Sequence, residues 1–130
     1  MRYPTPALWR VNVLDAHDGD TVRLCADRGI EETAVWAIRL KGVFAPELTQ
    51  PGGPESRAFV VQWLQDHGDG SAWPVLLETF RTPRSDVEVM TLSRYVGRLT
   101  AASGACLNDD MQAFITAQGF GGGIGAPPPA

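Results

Sequence analysis

Hydrophobic and polar side chains alternate along much of the first forty residues. In residues 8–16 the apolar Trp9, Val11 and Val13 are separated by more polar neighbours, which is typical of a strand with one face in solvent. Turn-forming Asp and Gly residues separate this segment from two others of similar composition. The pattern therefore predicts a meander of three antiparallel strands, at residues 8–16, 21–27 and 33–40.

The remaining chain contains two helix-like segments and two further strand-like segments. Pro54 and Glu55 suit the first turn of a helix that would run to Asp66, because proline fixes the required φ and a carboxylate complements the helix dipole. Asn108 is a candidate N-cap for a second helix, which Gly119 would end. Further strands are predicted at residues 74–80 and from residue 90 or 92 to 101. The order of these elements predicts an α+β, mainly β domain, a small barrel of five strands with two to three covering helices.

Length and composition indicate one folded domain followed by a different kind of segment. The 130 residues fit a single domain, which we place at residues 1–120. Residues 121–130 are rich in Gly and Pro and have few side chains with which to build a core. We therefore expect a flexible or partner-bound tail, through which the chain could join a larger protein assembly.

The sequence favours an intracellular protein without a membrane segment. It contains no run of about 18 apolar residues, and its N-terminal residues lack the apolar stretch of a secretory signal. Cys25 and Cys106 are far apart in the sequence, and we expect both to be reduced. The predicted localisation is the cytoplasm, or a virion for a protein that a virus particle carries.

The net charge is acidic, but the basic residues are mostly of one kind. The formal net charge of −4 argues against strong nonspecific binding of nucleic acid. Ten of the eleven basic residues are arginine, whose planar guanidinium can bind phosphate through two hydrogen bonds. Codon bias in a GC-rich genome could produce such an excess, so the positions of the arginines have to decide their role.

Five short segments resemble the staphylococcal nuclease-like family, in the same order and with compatible spacing. Together they cover about residues 9–120. The segments are DGDTV at 18–22, IRL followed by VFAPE within 38–47, GPES at 53–56, LSRY at 92–95 and LN at 107–108. The resemblance implies an OB-fold barrel and the calcium-dependent hydrolysis of phosphodiester bonds in DNA and RNA.

The resemblance also implies a role for individual residues. Arg39 and Arg94 would be the two cations that stabilise the negative charge developing on the phosphorus oxygens. Glu47 would orient or deprotonate the attacking water. Arg98, which follows Gly97, is the alternative to Arg94. We prefer Arg94 because its distance to the LN segment is within one residue of the family's spacing, whereas Arg98 leaves that distance three residues short.

The metal site implied by the resemblance is incomplete in this chain. Asp20 would be a calcium ligand, with Asp18 in support and the backbone carbonyl of Ala45 as a further oxygen ligand. Phe44 stands where the family has an acid that is also a calcium ligand. Since calcium affinity depends on the number of charged ligands, we expect weak binding or none.

The stretch before Arg94 also departs from the family. Leu92 and Ser93 stand where the family has an aromatic residue and a glycine. Serine fits a glycine position only where φ is negative, so the fifth strand and the direction of Arg94 could differ from the family's.

Two functions follow as expectations. The first is a divalent-metal-dependent nuclease that acts on single-stranded DNA or RNA, weakened by Phe44. The alternative is a catalytically inactive OB-fold module that binds or supports other components of a phage or nucleoprotein assembly. Convergence of Asp20, Arg39, Glu47 and Arg94 on one pocket would favour the nuclease, whereas a Phe44 ring filling that pocket would favour the module.

Overall fold

A computed structural model describes residues 7–80 and 95–120 of the chain. Three strands, a helix, two strands and a second helix follow one another as predicted, although the predicted start of the fifth strand lies outside the described residues. The elements are β1 (Ala7–Ala16), β2 (Thr21–Gly29), β3 (Glu32–Leu40), α1 (Gly53–Asp66), β4 (Val75–Phe80), β5 (Tyr95–Ala101) and α2 (Leu107–Gln118).

The five strands close into one barrel, in the order β1-β2-β3-β5-β4. The meander of β1, β2 and β3 is antiparallel, and β4 pairs in the same manner with both β1 and β5. The barrel closes through a parallel pairing of β3 with β5, in which Arg39 lies opposite Val96. The predicted fold class, an α+β protein with a five-stranded OB-type barrel, is confirmed, and the described residues contain two covering helices.

Alternate residues of each strand fill the barrel. Along β2, Val22, Leu24 and Ala26 are buried, while the residues between them are exposed or partly buried. Gly97 lets β5 approach its neighbours, because a Cβ atom there would lie 2.5 Å from the Leu77 Cδ1 atom. The helices complete the core with apolar side chains on one face of each: Val60 and Trp63 from α1, and Leu107, Met111 and Ile115 from α2.

Both helix C-termini agree with the sequence, but one predicted cap is wrong. Helix α1 ends at Asp66, and Gly119 follows α2 with a φ of 70°, a left-handed conformation that favours glycine. Asn108 is not an N-cap, since α2 begins at Leu107 and its cap position is Cys106. The Asn108 side chain is instead buried and binds backbone groups of the barrel.

Neither helix in the described part of the chain has the length and apolar character needed to cross a membrane.

Candidate functional site

The turn between β1 and β2 holds two aspartates against the loop that follows β3. Asp18 Oδ1 accepts a hydrogen bond of 3.0 Å from the backbone N–H of Asp20. A Cβ atom at Gly19 would lie 2.6 Å from the Ala45 Cβ and 2.7 Å from the Ser56 Cβ. Glycine is therefore needed for this turn to pack against both the loop and α1.

Asp20 connects this turn to the end of β3. Its Oδ2 atom accepts a hydrogen bond of 3.3 Å from the Ala45 N–H, and its Oδ1 atom accepts one of 3.2 Å from the Thr21 hydroxyl. Its backbone carbonyl accepts a bond of 2.7 Å from the N–H of Leu40. These bonds fix the carboxylate beside the loop in which sequence analysis placed the remaining acidic site residue, Glu47.

Arg39 and Phe44 meet at the same place. Arg39 lies opposite Thr21 on the outer face of β3, and its Cζ atom is 5.3 Å from the centroid of the Phe44 ring. This distance allows a cation–π interaction. The N–H of Phe44 donates a hydrogen bond of 3.2 Å to Gln112 Oε1 of α2, which holds this part of the loop against the helix. The sequence motifs did not reveal this contact, because Gln112 lies outside all five segments.

The electrostatics of the site centre on Asp20. Partial burial, together with a hydrogen bond and charge repulsion from Asp18, raises the pKa of Asp20 to about 6. The positive charge of Arg39 and the hydrogen bond from Thr21 oppose this rise without cancelling it. Two close carboxylates that raise a pKa are typical of sites that hold a cation or a proton.

We expect Asp20→Asn to stabilise the protein at pH 7 in EDTA. The folded chain retains the Asp20 proton up to about pH 6, whereas an unfolded carboxyl with the ordinary value of 3.8 has already lost it. Between these pH values the folded state binds more protons than the unfolded state, so its stability falls as the pH rises. The variant should gain about 2 kcal/mol, less than the full shift corresponds to, since solvent screens part of the carboxylate.

Urea unfolding at pH 4, 5, 6, 7 and 8 measures this effect. Glu32→Gln is the control, because Glu32 is exposed at the start of β3 and the substitution makes the same change of charge. The difference between Asp20→Asn and the parent should be small at pH 4 and constant above pH 7. A gain that is independent of pH would show that ionisation of Asp20 is not its cause.

Glu47 occupies a tight turn with its side chain in solvent. Its N–H donates to Gln50 Oε1 at 2.8 Å, and its carbonyl accepts from the Gln50 N–H at 2.9 Å. A Cβ atom at Gly53 would lie 2.0 Å from the Glu47 carbonyl oxygen, so the start of α1 packs directly on this turn. The backbone of Glu47 is therefore held in place, while its carboxylate is accessible to water and ligands.

Of the two candidate arginines near the fifth strand in the sequence, Arg98 is the one that the structure describes. Arg98 Nη2 lies 2.6 Å from Asp109 Oδ2 in the first turn of α2, and this hydrogen bond raises the pKa of the guanidinium. Arg98 is thus paired with a carboxylate outside the Asp20 cluster. Arg94 lies outside the described residues.

Asp20 and its neighbours are the predicted ligands of a divalent cation. Within residues 7–80 and 95–120, no group of three or more His, Cys, Asp or Glu side chains could hold a metal ion. Asp18 and Asp20 provide two carboxylates, and the Ala45 carbonyl is the third candidate ligand. Calcium usually takes six to eight oxygens, so a cation here would keep much of its water.

Comparison with known proteins gives no assignment that would add to this geometry. No family model matches the chain, and none of the curated proteins matches it. A functional conclusion therefore depends on the residues around Asp20, Arg39 and Phe44.

Proposed function

We propose that this chain is an OB-fold phosphodiesterase similar to staphylococcal nuclease, which hydrolyses single-stranded DNA or RNA slowly. One observation carries the proposal: Arg39 and the pair of Asp18 and Asp20 lie together at the point where the β1–β2 turn meets the loop after β3. A cation and two carboxylates, together with the exposed Glu47 in the loop after β3, supply the types of group that phosphodiester hydrolysis requires.

The residues would divide the reaction between them. Arg39 would bind an oxygen of the phosphate and stabilise the charge that develops there. Arg94 would do the same. Glu47 would orient a water molecule or accept its proton. A divalent cation, calcium by the family resemblance, held by Asp20, Asp18 and the Ala45 carbonyl would polarise the phosphate.

The same geometry supports slow catalysis. Phe44 contributes no oxygen ligand at the position where the resemblance implies an acid. Its ring also covers part of the Arg39 guanidinium. A protonated Asp20 is a poor ligand, so weak cation binding should weaken further below about pH 6.

A binding module without catalysis is the second candidate, and the contact between Arg39 and Phe44 favours it. An arginine next to an aromatic ring can bind single-stranded nucleic acid through phosphate contact and base stacking, without a metal. In this candidate residues 121–130 would provide a contact to a larger assembly.

Cleavage assays on single-stranded DNA and RNA test the proposal, with EDTA, calcium, magnesium and manganese in parallel. We expect slow cleavage by the parent chain that requires a divalent cation. Glu47→Gln should lower the rate about 100-fold or more, because it removes the group that takes the proton. Glu32→Gln, with the same change of charge at an exposed position on β3, should leave the rate unchanged.

Each result separates the candidates. Equal rates for Glu47→Gln and the parent would contradict the role of Glu47. A parent that binds oligonucleotides in EDTA but cleaves none with any of the three cations would support the module.

A further inference from the structure

A groove runs along the outer face of the barrel beside the candidate site. Its floor crosses three strands, where Asp15 lies opposite Arg23 and Arg23 lies opposite Ala37. Leu48 and two residues near the start of α1, Pro54 and Arg57, form its wall. The groove has a volume of about 1080 Å³, large enough for a nucleotide unit.

The groove is continuous with the surface that carries Arg39. Ala37 and Arg39 are two residues apart on β3, so their side chains leave the same face at a separation of about 7 Å. Thr21 lies opposite Arg39 and also lines the groove. His17, another lining residue, directly precedes Asp18. A polymer that crosses Arg39 could therefore continue into the groove.

Basic side chains outnumber acidic ones in this groove. Arg23 binds Asp15 through its Nε atom at 3.1 Å and its Nη2 atom at 2.7 Å. This hydrogen bonding, together with the charges of Arg23 and Arg57, lowers the pKa of Asp15. Two arginines against one aspartate give a formal charge of +1, with His17 counted as neutral, in a chain whose net charge is −4.

Arg57 is the basic group that the groove leaves available. Its Nε atom donates a hydrogen bond of 2.8 Å to the Ala16 carbonyl, which fixes the plane of the guanidinium against the barrel. In the part of the chain that the structure describes, Arg57 donates no other hydrogen bond. Its two terminal nitrogens therefore keep the fork with which arginine binds two oxygens of one phosphate.

We propose that the groove is a second binding site for phosphate groups, with Arg57 as its principal contact. The inference rests on the proposed function: the site takes the backbone of the same nucleic acid strand whose reacting phosphodiester lies at Arg39. Arg23 contributes less to binding, since Asp15 already neutralises it. The groove thus determines how the strand is held beside the reacting group.

Binding of a labelled single-stranded oligothymidylate to the full chain tests this site. Fluorescence anisotropy is measured in EDTA, which prevents cleavage, over a series of potassium chloride concentrations. Arg57→Gln should weaken binding about 5- to 10-fold at low salt and reduce the slope of log affinity against log salt by about 0.7. Arg57→Lys should have an intermediate effect, because it keeps the charge without the fork.

Arg28→Gln is the matched control. It removes the same charge from an exposed residue near the β2–β3 turn, five positions and about 17 Å along β2 from Arg23. Equal effects of Arg57→Gln and Arg28→Gln would overturn the proposal.

A second measurement on the parent chain avoids any loosening that loss of the Arg57–Ala16 bond causes. Backbone amide NMR shifts are followed while inorganic phosphate alone, or a thymidylate dinucleotide, is added. Saturable shifts at His17, Arg23 and Arg57 support a phosphate site, and the comparison of the two ligands shows whether free phosphate suffices. Absence of shifts with both ligands would overturn the site.

These measurements also separate the two proposals. A parent that binds through Arg57 but cleaves with none of the cations would contradict the phosphodiesterase and leave the groove site standing. If the parent cleaves but Arg57→Gln and Arg28→Gln bind equally well, the groove site is contradicted and the phosphodiesterase still stands.

Discussion

Phe44→Asp should raise the rate of calcium-dependent cleavage at least about 100-fold, because calcium affinity rises by orders of magnitude with the number of charged ligands. The substitution adds a third carboxylate next to the Ala45 N–H that already binds Asp20. It also removes the ring beside the Arg39 guanidinium. Both changes bring the candidate site closer to a complete set of oxygen ligands next to an accessible arginine.

The same variant should respond to calcium in its stability. Without a cation, a third carboxylate near Asp18 and Asp20 adds repulsion, so the thermal midpoint in EDTA should fall below that of the parent. With calcium at about 100 times its dissociation constant, binding should restore about 2.7 kcal/mol. The parent, with two carboxylates, should gain less at the same calcium concentration.

Phe44→Asn separates the effect of charge from that of removing the ring. It has nearly the shape of the aspartate variant but adds no negative charge. An equal rise in rate for both variants would mean that the ring alone limits catalysis. If Phe44→Asp gains calcium binding but remains inactive, the metal site is not what limits the chain, and the proposed phosphodiesterase would be contradicted.

Much of the fold could be predicted because it is encoded locally. Alternating apolar residues predicted the strands, and Gly and Pro marked their ends. Asp15 is an exception. Trp9, Val11 and Val13 face the interior of the barrel, and the same two-residue period would place Asp15 there as well. A bulge between Val13 and Asp15 shifts the register, so that Asp15 faces outward opposite Arg23. The groove depends on that bulge, and periodicity does not predict it.

The candidate site was predictable only as far as its parts lie within short segments. Asp18 and Asp20 lie two residues apart in one turn, so their proximity follows from the sequence. The contact between Arg39 and Phe44 depends on how the chain turns after β3, and on Gln112, which comes from a helix 68 residues further on. A sequence motif does not contain such through-space contacts, although they determine how accessible the Arg39 guanidinium is to a ligand.

Asn108→Ala should lower the free energy of unfolding by about 2–3 kcal/mol, a large part of the stability of a typical domain. The Asn108 side chain is buried, with a relative exposure of 2%. Its Oδ1 atom accepts from the Leu99 N–H at 3.0 Å, and its Nδ2 atom donates at 2.9 Å to the carbonyls of both Lys41 and Gly97. It therefore binds α2 to the end of β3 and to the middle of β5.

The size of this effect depends on which hydrogen bonds the backbone partners of Asn108 keep after the substitution. The Gly97 carbonyl would keep its bond of 2.9 Å from the Lys41 N–H, whereas the Leu99 N–H and the Lys41 carbonyl would lose theirs to Asn108. An unsatisfied N–H in the interior costs about 1–3 kcal/mol, and the partly exposed carbonyl can regain water at a lower cost. Asn12→Ala, at an exposed position on β1, should change the stability by about 0.5 kcal/mol or less.

Urea unfolding measures the loss of stability. The slope of the unfolding free energy against urea concentration should be the same for Asn108→Ala and the parent. The physical reason for this loss lies in the closure of the barrel. Among the described residues, β3 and β5 form three residue pairs before β3 ends at Leu40. Asn108 continues the hydrogen bonding of this parallel ladder with a side chain, just where the loop toward Phe44 begins. A loss no larger than that of Asn12→Ala would mean that closure does not depend on Asn108, and that the core of α2 alone holds β3 and β5 together.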